Sequence, residues 1–300
     1  MDLDELRAFI TVVETGSIQS AARSLRFARA TLRRRLDELA ARAGVPLLRR
    51  TEGGLVPTEA GQVLAQRGRL ILQEAGALLS SVREVGREPS GTLRVLTPVG
   101  LPPMMMAPLL TTMRRNFAKL GFRIDLADDP LSRLLDDIDV AVHYGDATLT
   151  GPWLSYDLMR GRTCLVASAS YLRVHGRPRD LADLAGRELY RWVMPGEDGR
   201  SLPLVDGTTL AIAPTIASTD VHLLRRCAAV GDALAFVPDS HDGPVGPIDD
   251  LEPVLPDLVG GTWRLRMTVP AALAEIPRIW AVVEEIRRFA SVPPPRPSAP

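Results

Sequence analysis

Nine arginines crowd residues 23–50: Arg23, Arg26, Arg29, Arg33, Arg34, Arg35, Arg42, Arg49 and Arg50. Only Asp37 and Glu38 oppose them, which leaves a local charge of +7. A guanidinium fork matches phosphate oxygens and the O6/N7 edge of guanine, so such a cluster suits a polyanion like DNA. A solvated helix face looks much the same. Lys119 is the only lysine of the chain, so arginine richness alone can reflect the coding composition of a genome. What decides is the scaffold that presents the cluster.

Other candidates for chemistry are sparse. His143, His175, His222 and His241 stand apart with no metal-ligand spacing, and neither a nucleophile elbow nor a Gly-x-x-x-x-Gly-Lys phosphate loop occurs. The expectation is no enzyme, no metal and no cofactor. Cys164 and Cys227 are too few for a disulfide framework and read as buried reduced thiols. The alternative is a redox-responsive pair, with Arg162, Arg225 and Arg226 as its basic neighbours.

Over all 300 residues, 36 basic side chains balance 36 acidic ones, so the rest of the chain carries −7. With 46% hydrophobic residues the chain has enough apolar content for two or three domains and a sizeable core, which excludes a disordered chain. The longest uncharged run, 95–113, is broken by Pro98, Gly100, Pro102, Pro103 and Pro108 and cannot be one membrane helix. The first residues include Asp2, Asp4 and Glu5, acidic where a secretory signal would be basic, so a cytoplasmic location is expected.

Leu3, Leu6, Phe9, Ile10 and Val13 recur at helical spacing until Gly16 stops them. Ser17 suits the N-cap of a second short helix with Ile18, Ala21, Ala22 and Leu25 as its buried stripe. After a break at 26–28, Leu32, Leu36 and Leu39 form the inner stripe of a third helix. Arg34 and Ala30 then lie on the outer face, with Arg33 and Arg35 on the flanks. This order predicts a helix-turn-helix whose last helix enters the major groove. Leu47 and Leu48, then Gly53 and Gly54, then Leu55 and Val56 predict a small wing with Arg49 and Arg50 at its base. The DNA-contacting candidates are Ser17, Arg29, Ala30, Thr31, Arg33, Arg34, Arg35, Arg49 and Arg50. From Thr58 no proline occurs until Pro89, and Leu64, Ile71, Leu78 and Val85 recur every seven residues, with Gly68, Ala75 and Val82 four places on. That is a coiled-coil seam on a helix of roughly 40 Å. Its small residues Gly68 and Ala75 would admit a partner helix, the alternative being packing against its own domain.

These residues resemble the LysR-type transcriptional regulators. The resemblance is carried by Leu3, Leu6, Phe9 and Val13; Gly16, Ser17 and Ile18; Ala21, Ala22 and Leu25; Gly44, Val45, Pro46 and Leu47; Arg50 and Thr51; and Leu55, Thr58, Glu59, Ala60 and Gly61. Where the family usually has Ser-Gln at the start of the recognition helix, this chain has Ala28 and Arg29, and the next usual serine is Arg33. Arginine pairs best with guanine, so Arg29, Arg33 and Arg34 should favour guanine where relatives read another base. The resemblance implies double-stranded DNA with two-fold symmetry as a partner and a linker helix that dimerises. It also implies assembly as a homodimer or homotetramer, with RNA polymerase among the candidate partners.

The hinge at 88–91 leads into alternating short strands and helices. Strands are expected at 92–96, 123–126, 140–142, 163–167, 210–212, 233–238 and 264–269, and helical segments at 131–135, 181–184, 220–230 and 276–289. Such alternation predicts a mainly parallel sheet with covered faces. The resemblance implies a two-lobed α/β effector-binding domain, like periplasmic binding proteins, with a small-molecule effector in the cleft and crossover strands at 163–167 and 266–269. The fold expected is thus an all-α winged helix-turn-helix domain (1–59), a linker helix and hinge (60–90), the two-lobed α/β domain (91–291) and a Pro-rich disordered tail (292–300). Ligands in such sheets sit at the carboxyl ends of strands, which nominates Pro98, Val99, Gly100, Leu101, Asp129, His143, Tyr144, Ser218, Thr219 and Phe236. His143 reads equally as a strand-end residue satisfied by backbone. Prolines 98, 102 and 103, with Gly100, stand where the family usually has small hydroxyl residues, so the cleft should suit an aromatic or apolar ligand. An empty or degenerate cleft is the other reading of the same residues.

Overall fold

A computed structural model of the chain describes residues 2–84, 88–133, 138–146, 149, 151–231, 233–239 and 250–291. The expected tail at 292–300 and the seam position Val85 lie outside the described residues. The chain folds as two compact units, residues 1–86 and 87–300. Among the described residues no helix is long and apolar enough to cross a membrane.

In the first unit, helices α1 (Leu3–Thr15), α2 (Ile18–Leu25) and α3 (Arg29–Ala43) precede a hairpin of β1 (Leu48–Thr51) and β2 (Gly54–Pro57), and α4 (Glu59–Glu84) follows. Asp2 and Glu5 form a capping box that starts α1, each carboxylate accepting the other's backbone amide at 2.6 and 3.0 Å. Arg42 in the last turn of α3 donates to the same Glu5 carboxylate, pinning α3 to the start of α1 and holding that carboxyl below its ordinary range. Leu6, Phe9 and Leu32 are fully buried at the centre of the three-helix core. Each contributes about 1.5–3 kcal/mol by leaving water.

The linker helix divides its seam in two. A Cβ on Gly68 would come within 2.5 Å of the Leu6 side chain, so this glycine admits α1 of its own domain, and Leu64 and Leu72 pack on the same core. The expectation that Gly68 opens a surface to a partner helix is corrected here. The far half differs: Ile71, Leu78, Leu79 and Val82 are exposed.

Among the described residues the second unit is built on a nine-stranded sheet. Its first half holds β3 (Gly91–Pro98), helix α5 (Pro103–Asn116), β4 (Leu120–Ala127) and β5 (Val140–Tyr144). The long strand β6 (Trp153–Ser168) then crosses over, followed by α6 (Ala169–His175), β7 (Leu189–Trp192), a hairpin of β8 (Ser201–Pro203) and β9 (Thr209–Ala211), and β10 (Ile216–Ser218). Helix α7 (Val221–Val230), β11 (Leu234–Pro238) and β12 (Leu251–Val254) complete the second lobe. Strand β13 (Gly260–Pro270) returns to the first lobe, where α8 (Ala271–Ala274) and α9 (Pro277–Ser291) end the described chain. Strands β4, β3 and β5 run parallel in one lobe, and β10, β7 and β11 run parallel in the other. Between them β6 and β13 pair antiparallel over most of their length.

Alternation of period two explains the layers of the second lobe. Cys164, Val166, Tyr190, Trp192, Ala235 and Val237 face α7, whereas Leu165, Leu189, Leu234 and Phe236 face the β8–β9 hairpin through Leu202. Several sequence expectations are corrected. The crossover strand expected at 163–167 begins ten residues earlier, because 153–162 carries Asp157, Arg160 and Arg162 and hides its strand in a polar pattern. The strand expected at 210–212 belongs to the outer hairpin, and β7 and β10 supply the sheet instead. The helix expected at 181–184 is a single 3-10 turn at Ala182–Leu184.

Candidate functional site

Helix α3 presents its arginines as its apolar stripe requires. Leu32, Leu36 and Leu39 are buried, which turns Arg29, Ala30, Arg33 and Arg34 to solvent, with Thr31 half-buried beside them. Arg34 spans one turn to Glu38 at 2.8 Å. Among the described residues Arg29, Arg33, Arg49 and Arg50 have no acidic partner. Arg49 and Arg50 are exposed on β1, and Ser17 caps α2 by accepting from the Ser20 amide at 3.4 Å. Ala28 gives α3 no side-chain cap, so the positive helix end stays open to an anion such as a DNA phosphate.

Arg35 is set apart from its neighbours. Its guanidinium lies 4.6 Å over the Phe27 ring and its buried Nη1 has no hydrogen-bond partner in the protein, so this arginine serves the packing of the turn. Sequence reasoning passed over Arg26, which closes α2 at φ 55°, in the left-handed region that costs a non-glycine residue about 1–2 kcal/mol. An exposed arginine held in such a conformation between the two helices is suited to a phosphate flanking the groove.

In the second unit the strand ends of the two lobes meet. Thr219 Oγ1 donates to Asp128 Oδ1 at 2.7 Å, joining the residue after β10 to the residue after β4. A Cβ on Gly100 would stand 3.0 Å from the Val221 nitrogen and 3.2 Å from the Thr219 oxygen, so only glycine lets the β3 loop approach α7 this closely. Tyr144 at the end of β5 meets Trp192 at the end of β7 edge to face, 5.2 Å between ring centroids, and meets Trp263 of β13 at 5.8 Å. Trp263 lies across Gly161 of the paired strand, where a Cβ would come within 2.5 Å of the indole. Burial pushes the Tyr144 phenol well above its ordinary range, so it stays protonated.

Of the nominated residues, Val99, Gly100, Leu101, Tyr144, Ser218 and Thr219 are half-buried, Pro98 is buried and Asp129 is exposed. His143 and Phe236 lie inside. His143 is 1% exposed; its Nδ1 faces the Tyr144 carbonyl at 3.3 Å and its Nε2 faces Thr268 Oγ1 at 3.0 Å. A carbonyl only accepts, so Nδ1 carries the proton and Nε2 accepts from Thr268, which takes a hydrogen bond from Ser155 at 2.7 Å. Desolvation, with Arg266 nearby, lowers the histidine's pKa and keeps it neutral. Phe236 is 1% exposed beneath Arg191.

Arg191, itself buried, donates to Ser201 O at 3.0 Å, to Trp192 O and to Glu197 at 3.2 Å, and so fixes the end of β7 that carries Trp192. Asp128, Trp192 and Trp263 were not nominated from sequence; Trp192 and Trp263 are two of only four tryptophans in the chain, which was the available signal. Cys164 on β6 and Cys227 on α7 are not disulfide-bonded and belong to the same apolar cluster. Among the described residues no group of three metal-ligating side chains is close enough to hold an ion.

A winged helix-turn-helix with exposed arginines, joined to a two-lobed α/β domain, defines a ligand-domain-bearing DNA-binding protein. Residues 3–62 match the bacterial regulatory helix-turn-helix proteins of the lysR family, and residues 86–291 match the LysR substrate binding domain. The chain belongs to the LysR family: it is a DNA-binding transcriptional regulator and not an enzyme. It is 28% identical to the HTH-type transcriptional regulator CrgA of Neisseria meningitidis over 79% of each chain. The solved CrgA structure shares its fold at a TM-score of 0.60 and 23% identity, covering 97% of this chain and all of that one. LysG of Corynebacterium glutamicum, solved with bound effector Arg, gives a TM-score of 0.68 at 17% identity over 97% of this chain and 98% of that one.

Proposed function

We propose that the chain is a cytoplasmic, effector-controlled regulator that binds a two-fold DNA site as a dimer. The outer face of α3 carries this reading: Arg29, Arg33 and Arg34 reach base edges, with Ala30 and Thr31 making the close approach. Arg49, Arg50, Ser17 and Arg26 hold phosphates of the flanking backbone. The exposed Ile71, Leu78, Leu79 and Val82 of α4 form the dimer seam, and a pair of dimers gives the tetramer. Output through RNA polymerase follows from where on a promoter the head sits.

The effector occupies the junction of the two lobes, bounded by Pro98, Val99, Gly100, Leu101, Asp129, Tyr144, Ser218 and Thr219. His143 and Phe236 support its walls from inside. An effector acts here by binding one arrangement of the lobes more tightly than the other. Footprinting on the DNA flanking the protein's own gene tests the assignment. Protection should appear at moderate salt, vanish in the Arg29→Ala/Arg34→Ala double variant and show guanine at the contacted positions; absence of any protected site overturns it.

A further inference from the structure

Helix α3 rests on the core of the first unit through one stripe, Leu32, Leu36 and Leu39, and the residues between these leucines are exposed or half-buried. Such a stripe holds a helix down but opposes its roll about its own axis only weakly, because apolar burial is non-directional. Two polar ties supply the direction. Arg35 and Arg42 stand seven residues apart, two turns of helix, and so share one flank of the stripe. Arg29 and Arg33 lie on the other flank and Arg34 points outwards. The Arg35 guanidinium sits 4.6 Å over the Phe27 ring of the preceding turn, and Arg42 donates to Glu5 Oε2 in the first turn of α1.

Glu5 is itself fixed. It is buried, and the same Oε2 accepts the Asp2 amide at 3.0 Å within the capping box. The other end of α1 is tied as well: Glu14 accepts from Arg69 Nε of α4 at 3.2 Å, and Leu6 and Ile10 stand against Gly68 of that helix. A carboxylate at each end of α1 thus joins α3 on one side to the linker helix on the other. Both ion pairs are partly open to water, with Arg42 46% exposed and Glu14 48%, and such pairs add little to stability. What a directional bond adds is orientation. Side chains that read base edges have to be held within about 10–20° of the productive geometry by the groups behind them.

We propose that Arg42 is a positioning residue for DNA reading: through Glu5, and with Arg35 as the second tie on the same flank, it sets the roll of α3 and thereby where Arg29, Arg33 and Arg34 point. This rests on the reading of α3 as the base-contacting helix given above. Loss of the tie leaves every phosphate-holding arginine in place, so contact with DNA of any sequence persists. Base contacts depend on direction and weaken, so the affinities for operator and for unrelated DNA converge.

The test measures, for the full-length protein at fixed salt, the ratio of its affinity for the footprinted operator to its affinity for unrelated DNA of equal length, alongside thermal melting. Arg42→Met removes the guanidinium and keeps the stem, whereas Glu5→Gln keeps an acceptor for the cap and removes the charge. Each should lower the ratio about threefold to tenfold through weaker operator binding, with affinity for unrelated DNA unchanged. The double variant should be no worse than the worse single one, because both act through one bond. Arg42→Lys, which keeps the charge, should recover part of the ratio. Asp2→Ala is the control: it removes the side-chain cap of α1 and should lower the melting temperature while leaving the ratio intact. A ratio that holds in Arg42→Met and Glu5→Gln, that falls as far in Asp2→Ala, or whose losses add in the double variant overturns the positioning role. The reading of α3 is judged separately by the Arg29→Ala/Arg34→Ala variant: an unchanged ratio there overturns that reading and the positioning role with it, whereas an unchanged ratio in the Arg42 and Glu5 variants alone overturns only the latter.

Discussion

The two units use many of their arginines differently. Among the described residues, Arg29, Arg33, Arg49 and Arg50 of the head are exposed without acidic partners, and only Arg34, Arg42 and Arg69 there meet carboxylates, whereas in the body Arg123, Arg160, Arg177, Arg191, Arg264 and Arg288 each meet one. An exposed ion pair adds little to stability, about 0–1 kcal/mol, but it cancels a charge that would otherwise attract DNA. The overall charge of zero is thus divided into +7 on residues 23–50, −4 on the rest of residues 1–86 and −3 on residues 87–300. A polyanion is drawn to the basic segment of the head and gains nothing from the slightly acidic body.

The largest expected effect lies in the head. Arg29→Ala and Arg34→Ala should each weaken operator binding roughly tenfold to a hundredfold, measured by gel shift at fixed salt, with thermal stability nearly unchanged. An arginine of the body shows the reverse pattern. Glu197→Ala leaves the buried Arg191 without its carboxylate and should cost about 1–3 kcal/mol in a urea melt, tempered because Glu197 is 33% exposed, while operator affinity of the folded protein holds. If both variants behaved alike, the division of labour would fail.

Arg26 sharpens the comparison, because its conformation and its proposed role oppose each other. Arg26→Asn should raise stability by about 0.5–1 kcal/mol, since asparagine tolerates the left-handed region, and at the same time weaken DNA binding. A variant that is more stable and binds DNA equally well would remove Arg26 from the interface. Smallest is the pH response. His143 has a lowered pKa in the fold, so its contribution is full above its ordinary value of 6.5 and is lost as pH falls below it; Glu5 is lowered from 4.5, and the head keeps its contribution until pH falls below that. Acid melts should soften the body first, and His143→Gln should flatten that early limb.

The head was legible in the sequence because its signals are local. A stripe of Leu32, Leu36 and Leu39, a Ser17 cap and a Gly16 stop need no knowledge of distant residues. The linker was half legible: the heptad pattern placed Ile71, Leu78 and Val82 on one face, but Gly68 faces Leu6, a contact between residues 62 positions apart. The body yielded its alternation and the strand ends, yet not the cleft. Trp192 and Trp263 meet Tyr144 only through the register of β7, β13 and β5, and a four-residue strand such as Leu189–Trp192 has too short a pattern to stand out. His143 and Phe236 were expected beyond the ends of their strands, but they lie within β5 and β11, where the register turns their side chains inward.

The most direct test of the account is the salt dependence of operator affinity for the full-length protein. Each phosphate neutralised should contribute about −0.9 to the slope of log affinity against log salt, so a dimer using Arg49, Arg50 and Arg26 from two heads should give a slope of roughly −5 or steeper. Arg49→Gln should make that slope shallower by about two, one contact per protomer, whereas Arg160→Gln in the body should leave it unchanged. A slope near zero, or one that responds to Arg160 as strongly as to Arg49, would contradict the claim that the unpaired arginines of the head carry the DNA contact.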